Sequence, residues 1–271
     1  MSVHYPRATV LRPALVPILL LCASAPAAAQ LRELSTDRPD QTESPYSVDA
    51  GHLQIESEPF SYAITREAGV TLREIHVMNM NVRFGLSSAV DAQLVLLPLM
   101  MVRAEVAGAT TSHTGFGDTA LRAKINLVGN DGGDFALGLL PFVVLPTASH
   151  ETLGAGKPEF GFAVPVGIAL PAEFALGLMP EIDVVAGETH AYAVELTQTA
   201  TVSHALVGEL GAFVEGASVL SFEDETAASL ELHGGLTYGI GADIQLDAGA
   251  FGTLIGEGED LRVFAGFTFR H

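Results

Sequence analysis

From His52 onward the chain alternates apolar residues with small or charged ones in stretches of about ten to fifteen residues, the period of extended strands. The last stretch shows the rule: Leu261, Val263, Ala265, Phe267 and Phe269 share one face, and Arg262, Gly266, Thr268 and Arg270 share the other. An apolar face paired with an arginine-bearing face fits a wall that touches lipid outside and water inside. The pattern predicts an all-β fold, an antiparallel transmembrane β-barrel of about twelve strands. Their predicted ranges are 52–65, 72–85, 90–104, 115–128, 134–147, 158–170, 174–187, 191–205, 210–222, 227–241, 243–255 and 259–270. Short connections such as Gly129-Asn130-Asp131-Gly132-Gly133 and Gly241-Ala242 alternate with longer ones, among them Glu105 to Thr114 and Ala148 to Lys157. This is the asymmetry of periplasmic turns and outer loops.

Two segments precede the strands. Residues 1–29 have a basic start (Arg7, Arg12), an apolar centre (Leu15 to Leu21) and Ala27-Ala28-Ala29 before Gln30, which reads as a signal peptide cut after Ala29. Cys22, the single cysteine, lies in this leader and lacks the small preceding residue that lipidation favours, so the mature chain carries no thiol. Residues 30–51 are polar and contain Pro39 and Pro45, which bars them from a continuous ladder. They are expected on the periplasmic side or partly in the barrel mouth.

Removing the leader leaves 11 Lys and Arg against 32 Asp and Glu, a formal charge of −21. Nucleic acid is thereby excluded as a partner, because phosphate backbones need clustered cations. A positive mean hydropathy of +0.35 in so acidic a chain fits apolar atoms facing lipid and acids facing a lumen or loops. A soluble β-sandwich would also have many strands, but not this leader, strands of this length, or glycine and alanine on the non-lipid face. With no Trp in the chain, Phe84, Phe135, Phe160, Phe162, Phe174, Phe222 and Phe267 are left to mark the membrane interfaces.

Turning the apolar face outward names a lumen. A basic wall is expected from Arg73, Arg83, Arg122, Lys124, Arg262 and Arg270, and an acidic wall from Glu56, Glu58, Glu181, Asp183, Glu195, Glu215, Glu231 and Asp247. These charges either satisfy one another or set a transverse field that selects permeants. Phe60, Tyr62, Leu97, Phe142, Met179, Phe213 and Phe251 have the same parity, as packing or as an apolar track.

Signs of catalysis are thin. His76 and His204 have outward parity on distant strands, and no Gly-x-Ser-x-Gly elbow occurs. Hairpin register places His233 near Glu215, two members of a triad without a serine or, more simply, a hydrogen-bonded lumenal pair. No metal-ligand spacing and no cofactor motif is present; Glu223-Asp224-Glu225 and Glu257-Gly258-Glu259-Asp260 read as solvated loops.

The stretch Ser35-Thr36-Asp37-Arg38-Pro39-Asp40-Gln41-Thr42-Glu43-Ser44, followed by Gly51-His52-Leu53-Gln54-Ile55-Glu56, resembles the opening of the meta-pathway phenol-degradation family of outer-membrane transporters. Gly115-Phe116-Gly117-Asp118 with Lys124, Leu145-Pro146-Thr147, and Tyr238 to Gly252 extend the resemblance over most of the mature chain. Ala148 after Leu145-Pro146-Thr147, where a glycine is more usual, and the terminal His271 depart from it. The resemblance implies uptake of aromatic or other hydrophobic compounds and supplies no established binding residues. The expectation is a cell-outer-membrane channel without enzymatic activity or cofactor, meeting outer-membrane lipid, a small-molecule permeant and the barrel assembly machinery. The alternatives are a plugged structural barrel and an outer-membrane acyl hydrolase.

Overall fold

Alternation of the two faces closes the sheet on itself. The computed structural model describes residues 31–187, 192–222 and 226–271. The leader with Cys22 and the cluster Glu223-Asp224-Glu225 lie outside the described residues. Fifteen strands form one antiparallel sheet: β1 Leu53–Glu67, β2 Val70–Ser87, β3 Val90–Leu96, β4 Leu99–Val106, β5 Ala109–Gly115, β6 Thr119–Val128, β7 Phe135–Leu145, β8 Glu159–Ala163, β9 Val166–Ala169, β10 Phe174–Ala186, β11 Tyr192–Val207, β12 Leu210–Phe222, β13 Thr226–Ile240, β14 Ile244–Ile255 and β15 Leu261–Arg270. β3 and β4, β5 and β6, and β8 and β9 are halves of interrupted wall strands, so the wall counts twelve. Closure is made by β1, which pairs with β2 on one side and β15 on the other.

Burial follows the predicted faces. On β15, Leu261, Val263, Ala265 and Phe269 are exposed on the lipid side, whereas Phe264, Thr268 and Arg270 are buried inside. Phe84, Phe135, Phe174, Tyr238 and Phe269 are exposed near the short-turn end, and Phe160, Tyr192 and Phe222 near the other. Phenylalanine and tyrosine thus supply both interface belts. Phe267 is only half exposed.

One level of the wall breaks the alternation. Pairing of β1 with β15 shifts between Ser57 and Phe60, Met78 on β2 takes a left-handed conformation (φ 59°), and the β3–β4 interruption falls at Leu97-Pro98. A bulge re-aims every side chain beyond it. Phe60 and Tyr62, expected in the lumen, therefore face outward beside Ala265 and Val263, and Phe60 is 49% exposed. Arg73 likewise leaves the lumen for the outer face, opposite Ile64 and Arg103, where it bonds Glu105 at 3.3 Å. His76 moves the other way: its Nδ1 lies 3.1 Å from Arg262 in the interior. The expected long connection from Glu105 to Thr114 is instead a tight hairpin of β4 and β5 turning at Ala107-Gly108.

Candidate functional site

The polar segment before β1 does not stop at the mouth. It enters at the short-turn end, where Arg32 bonds Asp49 at 2.7 Å and the Ser88 carbonyl at 3.1 Å. It rises through the lumen and returns beside its own start, the Ser47 and Val48 amides donating to Asn130 Oδ1 at 3.0 Å and Asp91 Oδ2 at 2.9 Å. Its prolines and short polar side chains suit a looped path whose backbone groups find partners on the wall, as buried N–H and C=O groups require. Asn126 Nδ2 donates to the Pro45 carbonyl at 2.9 Å, and Arg83 Nη2 to that of Tyr46 at 2.9 Å.

Alternate charges on the segment find opposite charges on the wall. Asp37 lies 2.9 Å from Arg83 and also pairs with Lys124, while Glu43 lies 2.5 Å from Arg122 and 3.5 Å from Lys124. Arg83 further contacts Glu56 and Asp91, each at 2.9 Å. On the other side of the lumen Arg38 reaches Asp247 at 2.7 Å and Glu58 at 3.5 Å. Gly266 makes room for it, since a Cβ there would come within 2.2 Å of the Arg38 guanidinium. Burial works against the ionised Asp37, but Arg83, Lys124 and Arg122 outweigh it and hold the carboxyl well below its ordinary range.

A second anchor is Glu215, whose carboxylate accepts the amides of Gln41 at 2.8 Å and Thr42 at 2.7 Å and the Thr42 hydroxyl at 2.5 Å. Its Oε2 also lies 2.6 Å from His233 Nδ1, as the Glu215–His233 cross-strand register dictates. His233 Nε2 lies 3.0 Å from Glu231, so the imidazole sits between two carboxylates. A triad histidine needs that second nitrogen for a nucleophile. The ring stacks on Phe251 (centroids 4.2 Å apart), Phe251 on Phe264 (4.9 Å), and Arg38 lies 5.4 Å over the Phe264 ring.

The segment separates two cavities. The one toward the short turns, about 590 Å³, is lined by Arg32 to Ser35, Tyr46 to Asp49, the 130–133 turn and Arg270. The outer one, about 500 Å³, is lined by Asp37 to Gln41, Glu58, Glu231, His233, Phe251 and Glu259. A smaller apolar recess of about 240 Å³ sits at the wall break, between Leu97, Pro98, Phe116 and Gly117. Asp118 shapes its rim by accepting the amides of Ala148 at 2.8 Å and Ala155 at 2.7 Å.

The remaining sequence candidates divide by height in the barrel. Arg262 pairs with Glu259 and Glu74 above the break, and Arg270 with Asp243 at 2.8 Å near the short turns. Glu181, Asp183 and Glu195 line β10 and β11, Asp183 directly opposite Glu195. Met179 and Phe213 are buried inward; the Glu43 amide points to the Met179 sulfur at 3.4 Å. Phe142 pairs with Gly161 and packs against the space a side chain would occupy there, and Leu97 stands in the wall break. Strand parity could not name Asp37, Arg38, Thr42 or Glu43 as interior groups, where the only signal is the density of opposite charges and hydroxyls in the opening motif; Asp91 shares the parity of Leu97 on its predicted strand and is legible by that rule. Among the described residues no group of three or more His, Cys, Asp or Glu is arranged to hold a metal ion.

Residues 36–271 match the model of the family described as "Putative MetA-pathway of phenol degradation". The chain belongs to this family. The match begins at Thr36, within the inserted segment, so the part that fills the lumen lies inside the matched region. Among solved structures, the chain resembles an outer membrane channel from Pseudomonas putida F1, with a TM-score of 0.65 at 14% identity over 86% of this chain and 99% of that one. It also resembles the β domain of the Bordetella autotransporter BrkA, with a TM-score of 0.51 at 13% identity over 82% and 100%. Among curated proteins none matches. The fold is that of an outer-membrane β-barrel.

Proposed function

We propose that this family member is a passive outer-membrane channel for small hydrophobic or aromatic compounds, narrowed by its own N-terminal segment. The observation that carries the reading is the pair of cavities meeting the segment from opposite ends, the outer one walled by Phe251 stacked on His233. Aromatic faces offer stacking to a planar solute, and Glu231 and Arg38 at the same cavity orient its polar edge. No covalent step is part of this reading, and flux follows the gradient. The resemblance to a channel from Pseudomonas putida agrees with it.

The second reading, a closed barrel, is favoured by the number of ion pairs anchoring the segment. Planar-bilayer conductance and liposome swelling separate the two. A channel passes ions and small solutes in the full mature chain, and deleting residues 36–44 raises the conductance severalfold. Conduction by the deletion variant alone establishes the plugged barrel, and silence of both overturns the channel.

A further inference from the structure

The phase shift at the wall break leaves two arginines side by side on the outside of the barrel. Arg73 of β2 pairs in register with Arg103 of β4, and both point away from the lumen, on the same face as Leu99 and Met101 further down β4. Like charges directly opposite on one sheet face repel. Inside the lumen the chain gives Arg83 three carboxylates and Arg38 two. The outward pair has one, Glu105, 3.3 Å from Arg73. Arg103 is exposed, and its side chain has no ion pair or hydrogen bond among the described residues.

Height decides what the pair meets. Phe84, 44% exposed, marks the short-turn belt on the same strand, and the rise of a strand tilted by about 40° puts Arg73 roughly 28 Å above it. The apolar band of an outer-membrane barrel is about 25 Å tall, so the pair stands at its outer border, where the headgroups of the outer leaflet lie and an outward arginine costs little. Below the pair the same face carries Ile75, Met101 and Leu99; beside it are hydroxyls, Ser112 directly opposite Arg103, and Thr71 and Thr110 flanking Glu105. The loops at this end, with Glu67, Glu257 and Asp260, are acidic in a chain of formal charge −19, and they repel anionic headgroups. The arginine pair is a local exception on that rim. Guanidinium forks match phosphate oxygens in shape as well as charge.

We propose that Arg73 and Arg103, helped by the Ser112 hydroxyl, bind the phosphate of an outer-leaflet glycolipid, a headgroup of the lipid A type, and hold one lipid against the β2–β4–β5 face. The phosphate relieves the repulsion between the two guanidinium groups, and the lipid's acyl chains lie along Met101 and Leu99. The site is independent of what crosses the lumen and needs only a barrel seated in the outer membrane.

Native mass spectrometry of the full mature chain, released from micelles containing EDTA with either bisphosphorylated or dephosphorylated lipid A, tests this. The expected result is a single-lipid adduct with the phosphorylated lipid and none with the dephosphorylated one. Arg73→Gln and Arg103→Gln each weaken retention, roughly tenfold per arginine. Should the double variant fail to fold, Arg103→Gln alone, which breaks no ion pair, carries the same test. Equal retention of the two lipids, or undiminished retention by folded Arg103→Gln protein, overturns the headgroup site. Adducts that form only when EDTA is left out point to divalent cations bridging lipid to the acidic loops, and displacement of the lipid by inorganic phosphate points to a free-anion site. Either result overturns the proposal as well.

Discussion

Asp37 of the inserted segment and Arg83 of β2 meet at 2.9 Å in the barrel interior, their side chains 4% and 0% exposed. Neither charge can return to water without the segment leaving its seat. Because Arg83 keeps Glu56 and Asp91, Asp37→Asn frees the segment without orphaning the arginine, and the expected outcome is noisier, larger single-channel steps with an intact barrel. Arg83→Met does the reverse, leaving three carboxylates together in a dry site, and costs about 3–5 kcal/mol. Denaturant unfolding in micelles reads that loss; an unchanged midpoint contradicts the assignment of Arg83 as the central counter-ion.

Glu215 gives a second lever. It collects two backbone amides and a hydroxyl from Gln41 and Thr42, bonds worth about 1.5–3 kcal/mol when the acceptor is charged. In Glu215→Gln the expected result is faster hydrogen exchange at those two amides, with the barrel strands still protected. Uniform loss of protection along the chain points instead to a general folding defect.

The wall break is testable by labelling. Spin labels at Phe60→Cys and Tyr62→Cys should be relaxed by lipid-soluble oxygen, and a label at Ser61→Cys, which is fully buried, should be shielded from it. The opposite ranking would restore unbroken alternation along β1.

Docking of the segment should loosen as the solution goes from acid to neutral. Burial, then the neighbouring Glu215, pushes the Asp40 carboxyl up to about 7. A raised acid stabilises docking fully below its ordinary value of 3.8, and that contribution is lost as pH climbs through about 7. Asp37 works in the other sense: its value is held down, so its contribution stands above 3.8 and fades only in strong acid. Exchange protection at Thr42 should fall between about pH 4 and pH 7 and level off above, and Asp40→Asn should flatten the curve. Protection that increases over that interval contradicts this placement of Asp40.

What could be read from the residues depended on how local the cause was. The faces of β15 and the Glu215–His233 register follow from a period of two and a hairpin count, and both stand in the structure. Phe60, Tyr62, Arg73 and His76 lie on the face opposite to the one alternation predicts, because the bulge between Ser57 and Phe60, Met78 and Leu97-Pro98 shift the phase, and no alternation rule counts across a bulge. The path of the segment was hidden for another reason. Asp37, Arg38 and Thr42 have partners on β2, β6, β12 and β14, and long-range pairing of a non-periodic stretch leaves no period to read.

Arg38 finds Asp247 on β14, and Thr42 finds Glu215 on β12, both contributed late in the chain by strands that must curl back to meet β1. The opening stretch, first to be synthesised, therefore has no complete seat until the final hairpins are in place. Its settling marks the moment when the cylinder is finished, and an unclosed barrel would hold that stretch only by its β2 and β6 partners, half seated and open to periplasmic proteases.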